Sequence, residues 1–168
     1  MWQGRFITAK KRGRWEFVGR ARGIQAAVIL AIEEAADGRH VLLVDQFRVP
    51  LGRRCIELPA GLVGDHHEGE DNSIAAAREL EEETGYRPAA MESLGEFFSS
   101  PGMVSESFTL FRATGLVRTG PGGGVEGEDI VVHRVPLAEI APYLEARRAE
   151  GYAMDVKLLI LLAGGILA

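Results

Sequence analysis

The chain has 168 residues, enough for one domain with a core of its own, and its 46% apolar and 26% charged residues are those of an ordinary globular protein. Its 19 Lys and Arg stand against 24 Asp and Glu, a net charge of −5, which lacks the basic balance of a duplex nucleic-acid binder. An acidic chain that handles anionic phosphates needs metal ions or locally placed arginines. The single Cys55 excludes an internal disulfide and fits a reducing cytoplasm. No apolar signal segment is visible in MWQGRFITAKKRGRW. The most apolar run, 158–168 (LLILLAGGILA), is shorter than the roughly 20 residues of a spanning helix. It is expected to be a buried terminal helix or a subunit contact, with no membrane partner.

In chain order, residues 14–22 (RWEFVGRAR) alternate polar and apolar like a half-exposed strand. The unbroken apolar run 24–32 reads as a buried strand, Asp37-Gly38 as a turn, and 40–47 and 55–58 as further strands. Residues 71–84 suit a helix, with Asp71, Asn72 or Ser73 as its cap and Gly85 as its stop. Strands are expected near 93–99, 107–117 and 130–135, a loop over 120–127, and helices at about 137–149 and 153–167. There is no internal repeat or dividing linker. Strands on both sides of a central helix, with helices at the end, indicate one mixed α/β layered domain over 1–168.

The central helix carries the first chemical signal. AAARELEEETGY, residues 75–86, places Glu79, Glu81, Glu82 and Glu83 within five positions, where like charges repel by a few tenths of a kcal/mol per pair. At helical spacing Glu79, Glu82 and Glu83 fall within about 100° of one another, and Glu81 points away. Leu80 and Ala77 lie nearer the core, and Arg78 is placed to pair with Glu82. Three carboxylates on one face suit a hard cation such as Mg²⁺ or Mn²⁺. By itself such a run more often describes a solvated acidic surface.

The surroundings of the run favour the cation. From Gly64 the chain reads Gly64, five residues, Glu70, seven residues, then Arg78-Glu79-Leu80-x-Glu82-Glu83-x-Gly85-Tyr86. This resembles the Nudix box, G-x5-E-x7-R-E-U-x-E-E-x-G-U with U apolar; Tyr86 stands where an aliphatic residue is usual. In the ADP-ribose-hydrolysing branch, LPAGL normally supplies the box glycine. Here LPAGL ends that role at Gly61, eight residues before Glu70 instead of five. Either Gly64 takes the structural role or the loop carries three extra residues after Gly61; the block match of residues 57–62 favours the second. His66 and His67 of that loop are expected to be solvated.

Further segments resemble the ADP-ribose pyrophosphatase branch. SSPGMVSE, 99–106, is similar to its S-P-G-x-x-S-E loop, with Pro101 at the marker proline and Glu106 at the glutamate implied to be the catalytic base or to orient water. DQFRVP, 45–50, resembles Q-F-R-x-P, in which the arginine, here Arg48, faces the substrate with bidentate donors. RWEFVGR, 14–20, resembles W-E-x-V-x-R, which gives Trp15 an adenine-stacking role and Arg20 a ligand contact. In EGEDIVVH, 126–133, Glu126 or Glu128 offers an acid on a glycine-hinged loop, and a plain flexible loop is an equal reading.

The resemblance implies a Nudix α/β/α sandwich around a mixed sheet, preceded by an N-terminal β extension over 1–22 that packs against a second subunit in a homodimer. It implies a small-molecule nucleotide substrate, ADP-ribose, cleaved by water to AMP and ribose 5-phosphate. Glu79, Glu82 and Glu83 with the Ala60 carbonyl are implied to hold Mg²⁺ or Mn²⁺, Glu82 and Glu83 serving catalysis through it. Glu70 and Arg78 are implied to pair behind them. The alternatives are a pyrophosphatase of nucleotide sugars such as GDP-mannose or UDP-glucose, and a nucleotide sensor without turnover.

Overall fold

The computed structural model describes residues 1–21, 25–63, 71–125 and 127–166, with backbone alone for Gln25 and Val63. Gly64, His66, His67, Glu70 and Glu126, which carry roles in the sequence pattern, lie outside the described residues.

The polar first segment forms a sheet of its own. β1 (Trp2–Gln3), β2 (Ile7–Arg12) and β3 (Trp15–Arg20) pair antiparallel in that order, the N-terminal β extension expected from the resemblance. β4 (Gln25–Ala35) and β5 (Gly38–Arg48) follow, then a 3-10 turn at Val49–Leu51, β6 (Arg53–Glu57) and β7 (Ala60–Val63). Helix α1 (Asn72–Thr84) leads to β8 (Tyr86–Arg87), β9 (Ala90–Phe98), β10 (Ser107–Thr114), β11 (Val117–Arg118) and β12 (Val131–Pro136). Helix α2 (Ile140–Ala149), β13 (Ala153–Met154) and helix α3 (Leu159–Ile166) end the described chain. The main sheet runs β13-β6-β5-β4-β10-β9, with β7 also on β4 and β12 also on β5. β10 lies parallel to β4 and β13 parallel to β6, while the other pairings are antiparallel, so the sheet is mixed.

The unbroken apolar run of β4 is explained by burial on both faces. Side chains alternate along a strand. Ala27, Ile29 and Ala31 of β4, with Leu42 of β5, pack beneath Ala75, Ala76 and Leu80 of α1. Val28, Leu30, Val41 and Leu43 face the other way, onto Ile140 and Leu144 of α2 and Leu158 before α3. The result is a helix, sheet, helix layering. The alanines of α1 let the helix lie close to the sheet, and fully buried Leu80 anchors it. Truncating such a leucine to alanine costs about 2–5 kcal/mol.

Helix α1 ends where the sequence says it should. Asp71 is the cap, its Oδ1 accepting from the Ser73 amide at 2.8 Å. Gly85 takes φ 75, the left-handed region that favours glycine, and donates to the Glu81 carbonyl. The far C-terminus departs from expectation. In place of one helix over 153–167, β13 pairs with Cys55 and Ile56, and Asp155 N–H donates to the Ile56 carbonyl at 3.0 Å. A 3-10 turn at Val156–Leu158 comes next, and α3 starts only at Leu159. The free edge of β6 takes the backbone bonds that a first helical turn would have used. Leu158 is buried, whereas Leu159, Ile160 and Ile166 are exposed. Contrary to the expected buried terminal helix, α3 has no fully buried residue; Leu161 and Leu162 pack partly against the core. Among the described residues no helix is long and apolar enough to cross a membrane, which says nothing of β-barrels.

Candidate active site

A cleft of about 590 Å³ opens where α1, β7 and the ends of β4 and β5 meet. One wall is the helix. Glu79, Glu82 and Glu83 all line the cleft, while Glu81 turns outward to Arg87 and Thr119. Helical spacing accounts for this division. Arg78 lies 3.2 Å from Glu79 and 3.6 Å from Glu82, the second being the expected pair four residues apart.

Glu83 is the most confined of the three. It is buried, and its Oε2 accepts from the Ala60 amide at 3.0 Å. Burial pushes its carboxyl up to about 8, against that amide bond, which favours the charged form. Glu79 is also raised, by burial, with Arg78 opposing. Gly61 lies directly against Glu79; a Cβ on Gly61 would come within 2.2 Å of the Glu79 Cγ. A side chain at Gly61 would push the Glu79 carboxylate from this position. Gly61 thus packs against a glutamate of the box, while residues 64–70, on which the choice between Gly61 and Gly64 turns, lie outside the described residues.

The opposite wall is assembled from distant segments. Arg48 forks onto Glu57, with Nε to Oε1 at 2.6 Å and Nη2 to Oε2 at 2.9 Å. Glu57 is buried. Arg20 Nε donates to Glu106 Oε1 at 2.5 Å, joining β3 to the loop before β10. That loop is held to β3 by two backbone bonds, Val18 N–H to the Met103 carbonyl at 3.0 Å and Ser105 N–H to the Val18 carbonyl at 2.8 Å. Glu128 and Lys157 complete the rim. Lys157 donates to Asp155 at 2.7 Å and lies 5.5 Å from the centre of the Phe108 ring.

Of the site residues expected from sequence, Arg20, Arg48, Ala60, Glu79, Glu82, Glu83 and Glu106 converge on this cleft. Arg78 sits behind it through its carboxylate pairs. Trp15 and Pro101 lie elsewhere. They share a second, apolar recess of about 450 Å³ with Phe17, Phe98 and Val104. β3 spans both sites, presenting Trp15 to the recess at one end and Arg20 to the cleft at the other. Within one chain the tryptophan therefore stands apart from the carboxylates. Gln46, Glu57 and Lys157 were not singled out from sequence. Glu57 opens the E-L-P-A-G-L segment, a usable signal. Lys157 has none, since only the pairing of β13 with β6 brings it to the cleft.

Among the described residues no three His, Cys, Asp or Glu side chains already form a cation cage. The fit of a divalent ion rests on the donors. Glu79, Glu82 and Glu83 are hard oxygen ligands on one face, and two of them are raised by burial. Such carboxylates gain most from an oxygen-seeking cation.

The family model for the NUDIX domain matches residues 23–154. The chain is 39% identical to a GDP-mannose pyrophosphatase of Cronobacter sakazakii over 84% of this chain and 72% of that protein. It is 34% identical to an ADP-sugar pyrophosphatase of Mus musculus, over 79% and 62%, and 38% identical to an ADP-ribose pyrophosphatase of Bacillus subtilis, over 54% and 46%. Among solved structures, one described as an ADP compounds hydrolase superposes with a TM-score of 0.65, covering 95% of this chain and 91% of its own at 22% identity, a likeness of fold. With the box residues in the sequence, their helix in place and the match spanning most of the chain, the protein belongs to the Nudix hydrolase family.

Proposed function

We propose that this Nudix hydrolase cleaves the pyrophosphate of ADP-ribose with water, giving AMP and ribose 5-phosphate. The observation that carries the reading is the convergence of the α1 carboxylates, the Arg20–Glu106 pair and the Arg48–Glu57 fork on one cleft. Mg²⁺ or Mn²⁺ bound by Glu79, Glu82 and Glu83 with the Ala60 carbonyl would neutralise phosphate charge and lower the pKa of a bound water.

The chain's own groups divide the remaining work. A pyrophosphate entering this acidic cleft meets Arg48 and Arg20, whose planar guanidinium forks match phosphate oxygens. Taking Arg20 frees Glu106 Oε1, which then accepts a proton from water or orients it. Substrate binding and release of the base are in this way one event. The partly buried Arg78 holds Glu79 and Glu82 on the cleft side. The Trp15 recess, with Phe17 and Phe98, offers flat apolar faces for a base.

We extend the proposal to a homodimer. Trp15 is apart from the carboxylates of its own chain, and Trp2, Ile7 and Trp15 on the N-terminal sheet, with Phe6 in the connection from β1 to β2, are exposed. A second copy would cover these side chains and set one chain's recess beside the other's cleft, the contact repeating by two-fold symmetry.

A nucleotide-sugar substrate is the second reading. The Cronobacter sakazakii relative named for GDP-mannose aligns over more of the chain than the Bacillus subtilis relative named for ADP-ribose. The test is a hydrolysis screen in Mg²⁺ across ADP-ribose, GDP-mannose, UDP-glucose and dinucleotides, with products separated by chromatography. ADP-ribose cleaved most efficiently, to AMP and ribose 5-phosphate, is the expected result. A preference for GDP-mannose installs the second reading. Binding without turnover of any compound would make the domain a sensor.

A further inference from the structure

The backbone just behind Glu128 is tied down more heavily than a rim loop requires. Arg54 of β6 supplies most of the ties. Its Nε donates to the Asp45 carboxylate. Its Nη2 donates to the Asp45 carbonyl at 3.1 Å and the Asp129 carbonyl at 2.9 Å, and its Nη1 to Asp129 Oδ2 at 2.9 Å. Asp45 is buried, and its Oδ2 lies 2.5 Å from His133 Nε2 on β12. Next to this hub, Gln46 Nε2 donates to the Glu128 carbonyl at 3.0 Å.

What these bonds hold is a turn under strain. Asp129 has φ 50 and is the one non-glycine residue in the left-handed region among the described residues. A side chain disfavours that conformation, which persists where neighbouring bonds over-determine it. The turn separates Glu128, on the cleft rim, from β12, in the sheet. Glu128 itself is folded back, with Oε2 accepting from the Val125 amide at 3.0 Å.

We propose that Arg54 is a positioning residue for the reaction: its fork, backed by buried Asp45 and His133, fixes the Asp129 turn and so holds Glu128 in the cleft, where Glu128 contributes to turnover. The inference rests on the reading of the cleft as the hydrolytic site. A carboxylate on a loop keeps its reach only if the loop's exit is fixed, and misplacing an acting group by about 1 Å costs about a hundredfold in rate. Lysine could not substitute. The ties run to two carbonyls and two carboxylates from a planar, delocalised cation, and an ammonium presents a single point charge.

The test is a double-mutant cycle with an independent structural readout. Arg54→Lys is expected to lower kcat about ten- to a hundredfold with KM changed less than about twofold. Added to Glu128→Gln, Arg54→Lys should change kcat by less than about twofold, because the group it positions is already gone. Hydrogen exchange of amides 123–130 should rise in Arg54→Lys while α1 and β5 stay protected. Asp129→Asn, whose side chain is largely exposed, repeats the cycle from the solvent side if Arg54→Lys does not fold. The inference is overturned if Glu128→Gln turns over like the wild type, if the two losses multiply, or if exchange of 123–130 is unchanged. Should the wild type hydrolyse no nucleoside diphosphate, the functional reading falls, and the exchange result still judges the latch alone.

Discussion

The two walls of the cleft are built on opposite principles. Glu79, Glu82 and Glu83 reach the helix wall from five consecutive positions, so their placement follows from 3.6-residue periodicity and one buried leucine. On the facing wall Arg20 meets Glu106 across 86 residues, and Gln46 meets the Glu128 backbone across 82. No local rule sets those meetings; sheet register and loop bonds do. The helix wall crowds negative charge that Arg78 relieves only for Glu79 and Glu82, and burial raises the carboxyls of Glu79 and Glu83. The facing wall stores Glu57 and Glu106 against arginines, and Glu128 against the Val125 amide. In the proposed function, a site divided this way would separate holding a cation from handling a proton.

The largest expected effect probes the facing wall. Glu106→Gln is expected to lower kcat by about 10² to 10⁴, the usual contribution of a general base, with little change in KM. Loss of affinity with kcat retained would make Glu106 a binding residue and break the division. On the helix wall, Glu82→Gln and Glu83→Gln are each expected to lower kcat by at least about a hundredfold, with folding intact because repulsion is relieved. Near-wild-type turnover in Mg²⁺ for either would remove the metal role of that wall.

Trp15→Ala is expected to raise KM for ADP-ribose by roughly 5- to 150-fold, the equivalent of about 1–3 kcal/mol of stacking, with a smaller effect on kcat. Steady-state kinetics read this, and light scattering reads the dimer that would bring the recess to a cleft. A monomer at micromolar concentration with unchanged KM would leave Trp15 outside the site.

The smallest effect is one of stability. The Glu83 carboxyl sits at about 8 in the fold against an ordinary 4.5, so the folded state favours the proton. This contribution is complete below the ordinary value and is lost as pH rises through about 8. The metal-free protein should therefore lose on the order of 5 °C in Tm between pH 6 and pH 9. Glu83→Gln or added Mg²⁺ should flatten that slope. An equal slope in the variant would place the titration elsewhere.

The same contrast explains how far the sequence could be read. Helix α1 was legible almost to the residue, because Asp71 and Gly85 mark its ends and Leu80 with the alanines marks its inner face. The buried strand β4 was legible as a continuous apolar run, although it extends to Ala35. β2 was not, since ITAKKR carries little apolar alternation and pairs only with its own neighbours. The C-terminal helix was expected too early, because helical periodicity says nothing of the open edge of β6 that claims Ala153 and Met154. In the site, the carboxylates followed from spacing, whereas Trp15, Arg20, Arg48 and Glu106 were visible only through family resemblance. Gln46 stands in the segment that resembles Q-F-R-x-P, whereas Lys157 depends on tertiary register and left no local mark.

Manganese binding followed by electron paramagnetic resonance, with turnover measured on the same samples, tests the division of labour most directly. Wild type, Glu82→Gln, Glu83→Gln and Glu106→Gln would be titrated with Mn²⁺ in the presence of ADP-ribose. The account predicts that Glu82→Gln and Glu83→Gln weaken Mn²⁺ binding at least about tenfold, the scale of losing a charged ligand, and that Glu106→Gln binds Mn²⁺ like the wild type while failing to turn over. Wild-type Mn²⁺ affinity in both helix variants, or its loss in Glu106→Gln, would contradict it.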